Sequence, residues 1–453
     1  MIQLSVASRL SAASIRLQQP YAFAVGQVSE VTGLSVGIAG LSPLLAVGDR
    51  VSLQGRSSQF VPAEITGFRG GKAQAMPLGA LTGIGPGARA LAQIETQGAD
   101  GQPTLPVTAS WLGRIVDPLG APLDGKGALP RGPGRPVRAA PPAAAQRSRL
   151  GPRLSLGVRA LDLFATCREG QRLGLFAGSG VGKSTLLSML ARDAACDVIV
   201  LALVGERGRE VREFIEDDLG PSLDRSVVVI ATSDQPALVR REAAYAAMTI
   251  AEFFRDQGRS VLLLMDSVTR FCLALREVGL ASGEPPATRG FPPSVFAELP
   301  CLLERAGPGV GLGSITGLFT VLVDGDDHNE PIADAVRGVL DGHVVMDRRI
   351  AEGGRYPAVD VLRSLSRTVP GCLGADEAAV VREARSILAL QAEMADLVRL
   401  GAYKAGTDPA ADRALRMAPR IEGLLRQSKG DSSTISEAFS ALSTVLSEAR
   451  DDI

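Results

Sequence analysis

The run Ala177-Gly178-Ser179-Gly180-Val181-Gly182-Lys183-Ser184-Thr185 has the residue types needed to hold a triphosphate. Glycines let a backbone fold around phosphate oxygens and aim several N–H groups inward. Lys183 is placed to bridge the terminal phosphates and the Ser184 hydroxyl to ligate magnesium. An apolar run at 261–265 ends in Asp266, a carboxylate that can hold the same ion through its water shell. A helix-capping aspartate would look the same. A second apolar run, 198–204, ends in Gly205-Glu206-Arg207. Glu206 is the candidate general base that polarises a water facing the γ-phosphate, with Arg207 fixing the carboxylate. The alternative for this pair is a salt-bridge cluster opening a surface helix. The chemistry these types permit is transfer of a phosphoryl group from a nucleoside triphosphate to water.

Such a loop needs a strand before it and a helix after it. The apolar stretch 172–176 and the helical pattern 183–195 supply both. Further unbroken apolar runs at 198–204, 227–230, 261–265 and 315–323, with a helical pattern at 242–257, predict a parallel sheet buried on both faces. This nucleotide-binding domain is expected over 153–375. Upstream, short alternating stretches at 22–28, 51–53 and 63–67 between Gly-, Pro- and Asp-rich turns predict a β-barrel over 21–95. Residues 120–152 are dense in Pro, Gly, Ala and Arg, and 96–152 is read as an extended connector. Beyond 375 the strands stop, and amphipathic segments at 376–400, 409–427 and 433–449 predict a helical C-terminal domain over 376–453. At the other end, Leu4, Ala7, Leu10, Ala13 and Leu17 fall at helical spacing, which fits a partner-binding helix over 1–20 or a frayed start packed on its own barrel.

Composition excludes several classes. With 453 residues the chain is long enough for two or three domains. Its 48 Lys and Arg oppose 49 Asp and Glu, so no global field attracts nucleic acid or an anionic membrane. Five cysteines without a CxxC pair and two histidines, His328 and His343, indicate neither a disulfide framework nor a zinc site. The apolar runs fall far short of the roughly 18 residues of a membrane span, and no signal peptide is evident. A cytoplasmic, soluble chain is expected.

These residues resemble the hexameric rotary-type ATPases, which include ATP synthase catalytic subunits and the ATPases of type III protein export. Besides the loop and Gly205-Glu206-Arg207, the resemblance rests on Gly113-Arg114-Ile115-Val116-Asp117-Pro118-Leu119-Gly120, Tyr356-Pro357-Ala358-Val359-Asp360 and Ser364-Leu365-Ser366-Arg367. Arg289-Gly290-Phe291-Pro292-Pro293-Ser294-Val295-Phe296 and residues 324–331 are similar to the export branch, and 341–348 with 354–357 to its flagellar members. The resemblance implies an N-terminal β-barrel, a central RecA-like P-loop domain with a mostly parallel sheet, and a C-terminal α-helical domain. It implies ATP and ADP with Mg2+ as ligands and Glu206 as the catalytic carboxylate. Tyr356 would pack its ring on adenine, and Arg367 would reach the γ-phosphate of a neighbouring subunit's ATP. The mobile-looking segment around Phe291 would line a central channel.

The implied activity is ATP hydrolysis driving flagellar export by a homohexameric ring at the inner-membrane export apparatus. Its implied partners are a stator-like regulatory subunit at the N-terminus, a central coiled-coil stalk, export chaperones with their substrates, and a membrane export gate. The alternatives are a virulence-injectisome ATPase, an ATP synthase catalytic subunit and a hexameric nucleic-acid motor. Dispersed charge after 375 disfavours the second. Few cations accompany Tyr21, Phe23, Phe60 and Phe68, which disfavours the third, and no nucleic-acid partner is expected.

Overall fold

A computed structural model describes residues 23–57, 59–93, 103–323 and 330–448. The expected N-terminal helix, Tyr21, the motif at 324–329 and His328 lie outside these residues.

Six strands, β1 (Phe23–Thr32), β2 (Ser35–Ala39), β3 (Arg50–Gln54), β4 (Phe60–Arg69), β5 (Lys72–Pro77) and β6 (Arg89–Gln93), close an antiparallel barrel in the order β1-β2-β5-β4-β3-β6. Alternation drives it: Val51 and Leu53 of β3 point inward to meet Val36, Ile38 and Ile65. Closure leaves no sheet edge unpaired.

The next sheet has nine strands. In chain order eight of them are β7 (Arg114–Val116), β8 (Arg172–Ala177), β9 (Val198–Glu206), β10 (Ser226–Thr232), β11 (Ser260–Asp266), β12 (Ser314–Leu322), β13 (Gly342–Met346) and β14 (Val359–Ser366). Their spatial order is β14-β13-β8-β12-β11-β9-β10-β7, parallel except for β14. The unbroken apolar runs follow from burial on both sides. Val198, Val200, Ala202 and Val204 of β9 enter one core, and Ile199, Leu201 and Leu203 enter the other. The first face is covered by α3 (Ala237–Arg255) and α4 (Val268–Ala281), the second by α1 (Lys183–Asp193). Helices α7 (Ala375–Arg399), α8 (Pro409–Leu425) and α9 (Ile435–Glu448) form the C-terminal bundle. Its apolar residues join the second core, so the bundle is continuous with the sheet.

Two segments differ from their expectation. Within the expected connector, β7 pairs with β10 as an edge strand, and Trp111, Val116 and Val137 are buried in the first core. Arg114 locks this edge through two hydrogen bonds to Asp124, at 2.7 and 3.0 Å. A Pro- and Gly-rich run builds no core of its own, yet it can be laid along the core of another unit. Likewise Phe291, expected on a mobile loop, is 3 % exposed and packs edge-on against Phe296 in the first turn of α5 (Pro293–Leu303).

A buried charge cluster ties barrel to sheet. Arg241 donates to Glu64 at 2.6 Å and to Glu242 at 2.9 Å, while Arg50 reaches Glu242 at 3.1 Å. Arg241 and Arg138 hold Glu242 ionised against the cost of its burial.

Candidate active site

Strand β8 delivers the chain into the glycine loop, and the residues of that loop take conformations a side chain would resist. Gly180 and Gly182 have φ of 79° and 89°, in the left-handed region that glycine enters without penalty. Lys183 opens α1 directly afterwards. The helix therefore points its free N–H groups and positive dipole end at the loop.

Sheet register brings the other groups alongside. β12 lies next to β8 and β11 next to β12, so Asp266, the last residue of β11, ends beside the loop. It is 4 % exposed. Lys183 Nζ donates to Asp266 Oδ1 at 2.5 Å, and Thr320 Oγ1 donates to the same oxygen at 2.6 Å. Next to β11, β9 runs on past the pairing of Leu203 with Asp266, so Glu206 overhangs the cleft. Gly205, at φ 70°, makes that irregularity possible.

Glu206 is 7 % exposed, and its Oε1 makes no hydrogen bond among the described residues. Lys183 Nζ stands 3.6 Å from that oxygen and Arg270 Nε 3.4 Å. Burial pushes the Glu206 carboxyl above the ordinary carboxylate range, and the negative Asp266 adds to the rise against the pull of Lys183 and Arg270. Arg270 is further fixed by donating to the Gly205 carbonyl. The resulting cleft, about 580 Å³, is lined by Gly178, Lys183, Ser184, Thr185, Glu206 and Arg270 among others.

Tyr356 comes from the loop between β13 and β14. A Cβ on Gly182 would lie 3.2 Å from two atoms of its ring, so the ring rests on the phosphate loop with 41 % of the residue exposed. The C-terminal bundle holds this loop: Gln427 N donates to Tyr356 O at 2.8 Å, and Arg355 pairs with Glu422 at 2.5 Å.

Arg207 lines the same cleft, yet its side chain is 74 % exposed and pairs with Glu210 at 2.8 Å instead of fixing Glu206, so the arginine at Glu206 is Arg270. Arg367 is exposed at the far end of the sheet. Its amide donates to Asp341 O at 2.9 Å, and the Asp341 amide donates to Arg172 O, at the opposite end of β8 from the loop. Five residue steps along β8 amount to about 17 Å.

Arg270 and Thr320 were not anticipated. Arg270 carries a signal, standing four residues after Asp266 where a helix follows the strand. Thr320 carries almost none, being a hydroxyl inside an apolar strand.

Parallel sheet, glycine loop and strand-end carboxylates together define a P-loop nucleotide-binding enzyme site on a RecA-like domain. A family model described as "ATP synthase alpha/beta family, nucleotide-binding domain" matches residues 157–366, and one described as "T3SS EscN ATPase C-terminal domain" matches 374–444. The flagellum-specific ATP synthase of Caulobacter vibrioides is 53 % identical over 93 % of this chain and 95 % of its own length. That of Salmonella typhimurium is 44 % identical, over 93 % of both chains. Among solved structures, the assembled ATPase EscN of the enteropathogenic E. coli type III secretion system superposes with a TM-score of 0.86 at 41 % identity, covering 93 % of this chain and all of that one. The chain belongs to the ATP synthase alpha/beta family, in the branch of the flagellum-specific and type III secretion ATPases.

Proposed function

We propose that this chain hydrolyses ATP to energise type III export of flagellar proteins, working as a homohexameric ring. The observation that carries the catalytic part is Glu206. Its buried Oε1 has no hydrogen bond among the described residues and faces the cleft 3.6 Å from Lys183. A carboxylate in that state, with its pKa raised, is suited to accept a hydrogen bond from the attacking water and to draw off its proton. Gly178 to Gly182 and the start of α1 would bind the β- and γ-phosphates, Lys183 and Arg270 would balance their charge, and Tyr356 would stack on adenine.

Mg2+ fits this donor set. Ser184 and Asp266 line one small pocket together with Glu206. That suits an ion held jointly by the Ser184 hydroxyl, Asp266 through water and phosphate oxygens. When bound, it screens the charge that develops on the β- and γ-phosphate oxygens.

Three features support a ring with Arg367 acting in trans. Arg367 is exposed, it lies at the opposite end of β8 from its own loop, and EscN has been solved as an assembled ATPase and in complex with its central stalk EscO. By the same likeness the partners would be a coiled-coil stalk, a stator-like subunit at residues 1–20, export chaperones with their cargo, and the membrane export gate. The site of action would be the cytoplasmic side of the inner membrane. No helix among the described residues is long and apolar enough to cross a membrane.

Glu206→Gln tests the base assignment. ATP affinity should persist while turnover falls about 10²- to 10⁴-fold; undiminished hydrolysis would remove Glu206 from that role. A type III secretion ATPase of Xanthomonas euvesicatoria is 45 % identical, so the cargo needs its own test. Deleting the gene should abolish motility, whereas intact motility with loss of effector secretion would favour an injectisome.

A further inference from the structure

Gln171, immediately before β8, is 0 % exposed. A buried amide is costly unless each of its polar atoms is paired. Here both are. Its Nε2 donates to Ser366 Oγ at 2.8 Å and to Asp341 O at 3.4 Å, and its Oε1 accepts from Thr368 Oγ1 at 2.9 Å and from Arg168 N at 2.9 Å. Ser366 Oγ donates onward to Thr166 O at 2.8 Å.

The residues so held are those on either side of Arg367, whose own amide is tied to Asp341. One glutamine therefore holds the side chains before and after Arg367, while Arg367 itself is exposed. The same glutamine starts the strand whose other end is the phosphate loop.

We infer that Gln171 is a positioning residue for Arg367, so that β8 links two ATP sites: the chain's own at one end and, through Arg367, the neighbouring subunit's at the other. The inference rests on Arg367 acting in trans. A guanidinium presented to another subunit loses its effect when its backbone wavers, since displacements near 1 Å can cost about 10²-fold in rate.

Gln171→Leu in the full chain removes the amide at similar volume. It should lower kcat about 10- to 100-fold while leaving ATP affinity of the unassembled chain unchanged. Combined with Arg367→Ala, it should add no further loss of kcat. The decisive readout is complementation. Gln171→Leu chains mixed with Glu206→Gln chains before assembly should regain activity above either alone, because one supplies the base and the other a well-held arginine. A mere packing defect would not be rescued in this way. If Arg367→Ala is rescued by Glu206→Gln but Gln171→Leu is not, the positioning role is overturned and the trans arginine stands. If Arg367→Ala is not rescued either, the trans reading fails and takes the inference with it. Should Gln171→Leu fail to fold, Thr368→Val serves. It removes the hydroxyl that meets Gln171, Ser366 and Thr166 while leaving the Gln171 bond to Ser366, and should show a smaller, equally rescuable loss, while full activity in Thr368→Val would overturn the role.

Discussion

The two ends of β8 differ in what surrounds them. At the loop end, Lys183, Asp266, Glu206, Arg270 and Thr320 are gathered within hydrogen-bond or ion-pair distance and largely shielded from solvent. At the other end Arg172 is paired with Asp341 and Glu304, and Arg367 stands exposed between Ser366 and Thr368, whose hydroxyls Gln171 holds. Charge explains the contrast. Within the cleft two carboxylates partly offset Lys183 and Arg270, so a transferring phosphoryl group would gain from a further cation beside bound Mg2+. On the proposed reading another subunit would deliver it. An arginine at the far end can be that cation only for another copy of the chain.

The largest expected effect breaks the far end. Arg367→Ala should cost about 10³ to 10⁵ in kcat, or about 4 to 7 kcal/mol of barrier. Nucleotide binding by the unassembled chain should stay intact, as equilibrium titration would show. A variant that hydrolyses normally would leave the two ends functionally unconnected. Next, Arg270→Ala acts at the loop end and removes a charge beside Glu206. It should lower kcat about 10²-fold in steady-state assays, and wild-type rates would reduce Arg270 to a structural tie on Gly205.

The smallest effect is a shift in pH dependence. A base must be ionised, and the folded protein holds the Glu206 carboxyl above its ordinary range, chiefly by burial. Activity should therefore fall, as pH is lowered, at a pH above the roughly 4.3 of a free glutamate. Arg270 draws that pKa down, so removing it should move the acid limb of kcat/KM to higher pH. A limb that stays put, or moves lower, would show that Glu206 does not set it.

Motif residues were legible because each type is dictated locally. Only glycine fits the φ values at Gly180 and Gly182, and the runs ending in Asp266 and Glu206 announced central strands with carboxylates at their lips. The barrel's alternation and the bundle's amphipathic spacing were legible for the same reason. What escaped depended on neighbours remote in sequence. Arg207 adjoins Glu206 in the chain, yet it pairs with Glu210, and the arginine beside Glu206 enters from α4 instead. Phe291 looked mobile from its Gly and Pro neighbours, but a core supplied by other helices buries it.

The sequence by itself determined the phosphate loop, the two carboxylates and the order of barrel, sheet and bundle, because backbone freedom and apolar periodicity are properties of short windows. Only the tertiary structure decided which cation meets Glu206, that the C-terminal bundle holds the Tyr356 loop, and that Arg367 faces away from its own loop. Those outcomes follow from strand order and register, which pack side chains that are distant along the chain.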